Sequence, residues 1–359
     1  MLYAWAVYAQ LGVVLCTMPL YLLLLWTLLR RRRQRELGTA FFRLFCQLGV
    51  VDVASLAVSY LGARRFAPLT PLYRLGDWKL AKLFLIATWY CKFAQTMGIW
   101  LIAFNRFTAV WMPIRSKDWW EERMAIVACF MIQFGTSLGF VAPMFFSGGY
   151  AYVSYANGTE MLPVITDSEL KAYLWKTGLI GELFFVVVVG MLYTLIFCRL
   201  RCRAGKELCG SGRRSRSRRQ GEFRLALSGL LITLLEFNWV VFIAVFGVFL
   251  NGLLPIELFY FCLNVATDLY SAANPYILLA LSRSVRRACE NQLRACLGLP
   301  SRELSRSIGG RGASRVRDRG AAERAVVGAG HVFALSPSPR LDELSESISA
   351  VPAQVHLTV

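Results

Sequence analysis

The chain has 359 residues, 56% of them hydrophobic, with a mean hydropathy of +0.49 and a net charge of +18. That is too apolar for a soluble globular protein of this length and points to a polytopic helical membrane protein. The basic residues lie between apolar runs, so membrane topology explains the charge better than a nucleic-acid partner, and none is expected. The two histidines, His331 and His356, both sit near the C-terminal end. A histidine-based metal or catalytic site inside the membrane is thereby excluded. No nucleophile–base pair or metal cluster stands out, so neither enzyme activity nor a cofactor is expected.

Seven apolar stretches are long enough to span a bilayer, each at roughly 20 residues. They cover 6–29, 41–61, 83–110, 124–146, 174–198, 225–250 and 257–281. All must be helical, because lipid offers no partner to open backbone groups. The first run lacks a charged leading region and ends at Arg30–Arg33, which reads as a stop-transfer anchor rather than a cleavable signal peptide. Only a short link around Asn251 to Pro255 separates the last two spans, so they form a tight hairpin. The expected fold is an all-α membrane protein. It is a seven-transmembrane helix bundle over residues 1–298, with a short amphipathic eighth helix and a disordered cytoplasmic tail over 299–359.

Orientation follows from the basic residues. With the N-terminus outside, the three inner links hold six, four and ten Lys or Arg, and the outer links hold seven. This bias predicts N-terminus outside, C-terminus cytoplasmic and a multi-pass plasma-membrane protein. The only glycosylation sequon, Asn157-Gly158-Thr159, falls in the link between spans four and five, which the charge count also puts outside. The third inner link, Arg199 to Arg224, is basic and Ser-rich and reads as disordered. It serves as a positive-inside anchor touching anionic lipid, and a G-protein contact is compatible with that.

After span seven, 282–297 is amphipathic and basic. Val285, Ala288, Cys289 and Leu293 share its apolar face. Cys289 and Cys296 are candidates for palmitoylation, with free thiols the plain alternative. The final Leu357-Thr358-Val359 offers a weak match to a PDZ groove. The outer links contain no cysteine, so no disulfide ties them together.

The third span closes on Asn105-Arg106-Phe107, with Pro113 seven residues after the arginine. An ordinary juxtamembrane arginine would also give this triplet. The stretch resembles the Asp-Arg-Tyr signature and following proline of rhodopsin-like G-protein-coupled receptors. With asparagine before the arginine and Thr108-Ala109 after it, it looks closer to the nematode serpentine chemoreceptors of the Srg and Srv type. Asp52 stands where that superfamily keeps an acid in span two, and Asn274-Pro275-Tyr276 matches the start of the span-seven Asn-Pro-x-x-Tyr motif. Leu278 stands where the motif's tyrosine is expected, three residues after the proline, the span-four tryptophan and the prolines of spans five and six are missing, and span six offers Phe237-Asn238-Trp239. The resemblance implies a chemosensory receptor that binds a small-molecule ligand from the outer side and activates a heterotrimeric G protein. It assigns coupling to Asn105, Arg106, Phe107 and Pro113, and a conformational switch to Asp52, Gln95, Asn274 and Pro275. A retinal pigment is ruled out, because the Schiff-base lysine position holds Asp268.

Lys92, Gln95, Ile99, Ile102 and Arg106 are spaced 3, 4, 3, 4 and share one inward helix face. Lys92 lies about 21 Å above Arg106, and Asp268 about 20 Å above the inner end of span seven, at ~1.5 Å per residue. Equal depth and opposite sign predict a Lys92–Asp268 pair, with Trp89, Trp239 and Tyr270 around it and Glu182 higher in span five. The reading is a ligand pocket, or a purely structural bridge. Asp52 with Gln95 is placed to hold a sodium ion or exchange a proton. The rival from another class is a transporter or channel that uses the buried Lys, Asp and Glu as a relay. A trafficking partner that binds no ligand is the third reading. Internal repeats, which would favour the transporter, are not evident.

Overall fold

A computed structural model of the chain describes residues 2–31, 37–63, 70–155, 160–207, 213–242, 244–245 and 256–299. The sequon at Asn157, Cys209, both histidines and the C-terminal Leu357-Thr358-Val359 lie outside the described residues, as does the expected tail from 300 on. In chain order the elements are α1 (Leu2–Arg30), α2 (Ala40–Val58), which continues through a π-helical turn (Ser59–Ala63), α3 (Thr70–Trp111) and α4 (Pro113–Glu121). Then α5 (Arg123–Phe130) passes through a second π turn (Met131–Gly135) into α6 (Thr136–Phe146). A hairpin of β1 (Tyr150–Tyr155) and β2 (Glu160–Ile165) follows. After it come α7 (Ser168–Glu207), α8 (Arg213–Phe242), α9 (Ile256–Leu281) and α10 (Arg283–Cys296).

Five described helical stretches are long and apolar enough to cross a membrane: Tyr8–Arg30, Ala40–Gly62, Arg123–Phe146, Ser168–Cys202 and Gly221–Phe242. α3 and α9, also read as spans, carry more polar residues. These are Lys92, Gln95, Asn105 and Arg106 on one, and Asp268, Ser271 and Asn274 on the other. Beside its apolar core, the bundle buries charged residues and exposes large apolar ones. Asp52, Lys92, Glu182, Glu236 and Asp268 are buried, while Leu22, Trp26, Phe130, Phe184, Val187 and Met191 are exposed. In lipid this polarity is the favourable one, because charges find partners only inside the bundle.

α3 is the central helix and packs against α2, α6, α7, α8 and both strands. Its core neighbours include Phe41, Phe45 and Leu48 of α2 and Tyr193 and Ile196 of α7. The π turn between α5 and α6 brings Gln133, fully buried, to donate through Nε2 to the Ala94 carbonyl at 3.1 Å. Gly98 makes room for it, since a Cβ there would come within 2.8 Å of that nitrogen.

Two features depart from the sequence reading. The link 199–224, expected to be disordered, is helical on both sides of 208–212, as α7 runs to Glu207 and α8 starts at Arg213. Arg, Lys, Glu and Gln are good helix formers, and no proline interrupts either arm. The second departure is the antiparallel hairpin, which pairs Tyr150 with Ile165 through to Tyr155 with Glu160. It is rich in tyrosine and valine, which suit a pleated surface.

With no cysteine available, polar contacts fasten the hairpin. Lys82 of α3 donates to the carbonyls of Phe145 at 2.7 Å and Ser147 at 2.8 Å. The Tyr150 hydroxyl donates to the Met144 carbonyl at 2.7 Å, and burial together with the Asp167 charge pushes this phenol up to about 12. Asp167 caps α7, accepting from the backbone N–H of Glu169 at 3.0 Å and Leu170 at 3.1 Å. The Ser147 hydroxyl donates to it at 3.1 Å. The Leu170 N–H and then the Ser147 hydroxyl hold the Asp167 carboxyl below its ordinary range.

At the other end, Ser282 caps α10 by accepting from Val285 N–H at 3.4 Å. Gly298, at a φ of 68°, closes the helix with Leu299 N–H donating to the Arg294 carbonyl at 2.8 Å.

Candidate functional site

Three polar layers line the inward face of α3. The uppermost is a clasp around Lys92 and Thr96, one turn apart. The Lys92 Nζ lies 3.8 Å from Glu182 Oε1 on α7 and 3.9 Å from Glu236 Oε1 on α8. It also stands over two rings, 3.9 Å from the Trp239 centroid and 3.7 Å from the Tyr270 centroid, so aromatic quadrupoles share the work of holding the ammonium. The Thr96 hydroxyl is 2.9 and 3.0 Å from the two Glu182 oxygens and 2.8 Å from Glu236 Oε1. Lys92 is 7% exposed, Glu182 4% and Glu236 3%. One cation and one hydroxyl therefore join three helices.

The middle layer centres on Asp52 of α2, which is fully buried. Gln95 Nε2 donates to it at 2.6 Å and Asn274 Nδ2 at 2.7 Å, and the Tyr21 hydroxyl donates as well. Gln95 also donates to the Ser271 hydroxyl at 3.0 Å. The carboxyl thus receives neutral donors from α1, α3 and α9.

The third layer, towards the C-terminal end of α3, holds Arg106. Its guanidinium lies 4.1 Å from the Phe41 ring centroid and donates to Asn105 Oδ1 at 3.2 Å. Tyr193 and Glu222 are within its electrostatic reach. Thr108 donates to the Asn105 carbonyl and accepts from Trp120 Nε1 at 2.8 Å, which ties α4 to the end of α3. Phe107 stacks obliquely on Trp111, and Pro113 begins α4, where its missing N–H costs nothing.

The model of the serpentine type 7TM GPCR chemoreceptor Srv family matches residues 10–295. The chain belongs to that family. It is also similar to serpentine receptor class V-1 of Caenorhabditis elegans, with 26% identity over 299 residues, covering 80% of this chain and 89% of that protein. Srv proteins are chemoreceptors and not an enzyme family, and the apolar helices make this one a multi-pass membrane protein.

In this Srv chain, four of the residues read as a ligand pocket come together: Lys92, Glu182, Trp239 and Tyr270. The expected Lys92–Asp268 pair is not made. Lys92 pairs instead with Glu182 and Glu236, while Asp268 accepts from the Tyr60 hydroxyl at 3.0 Å. Depth along a helix fixes height but not azimuth, and α7 and α8 present their acids to α3 at that height. Glu182 is accordingly level with Glu236 and not above it. Trp89 stands outside the clasp, stacked on Phe93 and edge-on to Trp175. Thr96 was legible only as the i+4 neighbour of Lys92, and nothing in the sequence singled out Tyr21, Tyr60 or Ser271. Of the two cysteines on α10, Cys289 is buried, which raises its thiol, and Cys296 is exposed.

Proposed function

We propose that this chain is a plasma-membrane chemosensory receptor, N-terminus outside and C-terminus cytoplasmic, that binds a small-molecule ligand from the outer side and activates a heterotrimeric G protein. The clasp at Lys92, Glu182, Glu236, Trp239 and Tyr270 is the inner floor of the ligand pocket. The observation that carries this reading is the connection of α3, α7 and α8 at one buried charged point, on the same face of α3 as Arg106. A ligand that rearranges the clasp changes how α8 sits against α3, and a two-state bundle is biased through that contact. Asp52, Gln95, Asn274 and Pro275 form the switch between clasp and inner face. Arg106, with Asn105, Phe107 and Pro113, forms the coupling surface.

Around this core, Asn157 is a glycosylation site, α10 lies on the inner membrane surface, and Cys296 is the better placed lipidation site. The C-terminal Leu357-Thr358-Val359 is a weak PDZ ligand. The test is a ligand screen read out through a promiscuous G protein, with Arg106→Ala as the control. The variant is expected at the surface in normal amounts with coupling reduced to background. Undiminished signalling from Arg106→Ala at matched surface levels would reduce the arginine to a membrane anchor.

A further inference from the structure

The hydrogen count at Thr96 does not close with two ionised acids. A threonine hydroxyl has one hydrogen to donate. Its oxygen nevertheless lies 2.9 and 3.0 Å from the Glu182 oxygens, 2.8 Å from Glu236 Oε1 and 3.3 Å from the Lys92 carbonyl. At most one of these acceptors can take the hydroxyl proton. A second carboxylate at the same distance would set lone pair against lone pair, in a place where burial strengthens repulsion. The contact becomes favourable only if that carboxyl carries a proton and donates it to Thr96 Oγ1.

The lysine points the same way. Lys92 Nζ is buried and makes no hydrogen bond, and at 3.8 and 3.9 Å its carboxyl contacts are too long to be one. A single ammonium held at that distance neutralises one carboxylate and not two, and two like charges sharing a buried site are strongly disfavoured. Among the described residues, the other titratable groups around the clasp do not relieve it. From α2 there is Asp52 beyond Gln95, and from α9 there are the Tyr270 phenol and Asp268, which is taken by Tyr60. None of these adds positive charge.

We propose that Glu182 and Glu236 hold one proton between them, relayed through Thr96 Oγ1, and that the clasp is a proton-binding site joining α3, α7 and α8. In one form Glu182 donates to Thr96 and Thr96 donates to Glu236. In the other, each O–H proton has moved one place along the same line and the order is reversed. No bond to carbon changes and the charge stays the same. With Lys92 included, the clasp is neutral in both forms, which is how three ionisable groups are accommodated in the bundle.

The test is infrared difference spectroscopy on the purified full-length chain at neutral pH. It needs neither a ligand nor a G protein, so its outcome is independent of the receptor reading. The wild type is expected to show a protonated-carboxyl C=O band that shifts in heavy water. Glu182→Gln and Glu236→Gln are each expected to abolish it, because the remaining acid then ionises opposite Lys92. Absence of the band from the wild type, or its survival in either substitution, overturns the shared proton. Where a glutamine variant does not fold, the aspartate variant at the same position keeps the group and must move the band. An unmoved band in both Glu182→Asp and Glu236→Asp also overturns the proposal.

Discussion

Replacing Lys92 by methionine isolates the cation of the clasp. Methionine keeps the length and apolar stem, so the packing against Trp239 and Tyr270 is largely retained while the charge is removed. Two acids buried at 4% and 3% exposure then face each other without a counter-ion. Breaking a buried pair in this way costs roughly 3–5 kcal/mol, and the lost ammonium–ring contacts add ~0.5–2 kcal/mol each. Uptake of a second proton by the acids would bring the total towards the lower end. The loss is expected in the melting temperature of the detergent-solubilised chain and in surface expression. The double variant Lys92→Met with Glu236→Gln restores neutrality and should recover a large part of it. Lys92→Met with Asp268→Asn should recover none, because Asp268 bonds to Tyr60 and not to Lys92. Additive losses in the first double variant, or rescue by the second, would refute the reasoning.

Gly229 of α8 faces Tyr193 of α7, where an added Cβ would stand 1.8 Å from the hydroxyl oxygen and 2.7 Å from Cζ. Tyr193 is buried, so Gly229→Ala should cost about 1–3 kcal/mol of thermal stability. Tyr193→Phe should relieve part of that loss, and no relief would mean the helices separate some other way. Asn105→Asp converts the 3.2 Å hydrogen bond from the Arg106 guanidinium into an ion pair and should lower ligand-independent G-protein activation at matched surface levels. Asp167 has a carboxyl held below its ordinary range, so its cap on α7 is fully present at neutral pH and is lost as pH falls through that lowered value. Hydrogen-exchange protection at the hairpin, taken relative to the intrinsic rate at each pH, should therefore fall in acid, and Asp167→Asn should remove that fall.

The bundle was legible because lipid leaves one backbone solution and apolar runs mark it. The inward stripe of α3 followed from spacing alone, and Asp52 does meet Gln95. The partner of Lys92 was not legible. Lys92, Glu182, Glu236 and Asp268 all sit at comparable height, and only the rotation of each helix decides which acid turns towards the ammonium. Sequence spacing relates residues on one helix and carries no information about the rotation of the next. Thr96 carries no distinguishing signal, because a lone hydroxyl in a membrane helix ordinarily bonds its own backbone, as Thr27 and Thr88 do. The hairpin gives little signal of its own, because its six-residue strands lie between two long apolar runs that dominate any window.

The π turns at Ser59–Ala63 and Met131–Gly135 have a consequence for how relatives of this chain vary. Each inserts one residue without breaking its helix, and every side chain beyond it is rotated by about a quarter turn relative to an unbroken helix. A relative one residue shorter at 131–135 can keep the same membrane crossing, but its buried and lipid-facing stripes on the far side are displaced by about a quarter turn. Gln133 would then swing away from Ala94, and the constraint on Gly98 would be lifted with it. Length changes of one residue at these points are thus expected to accompany changes at positions distant in sequence, and residues beyond each π turn are comparable between receptors only within one bulge pattern.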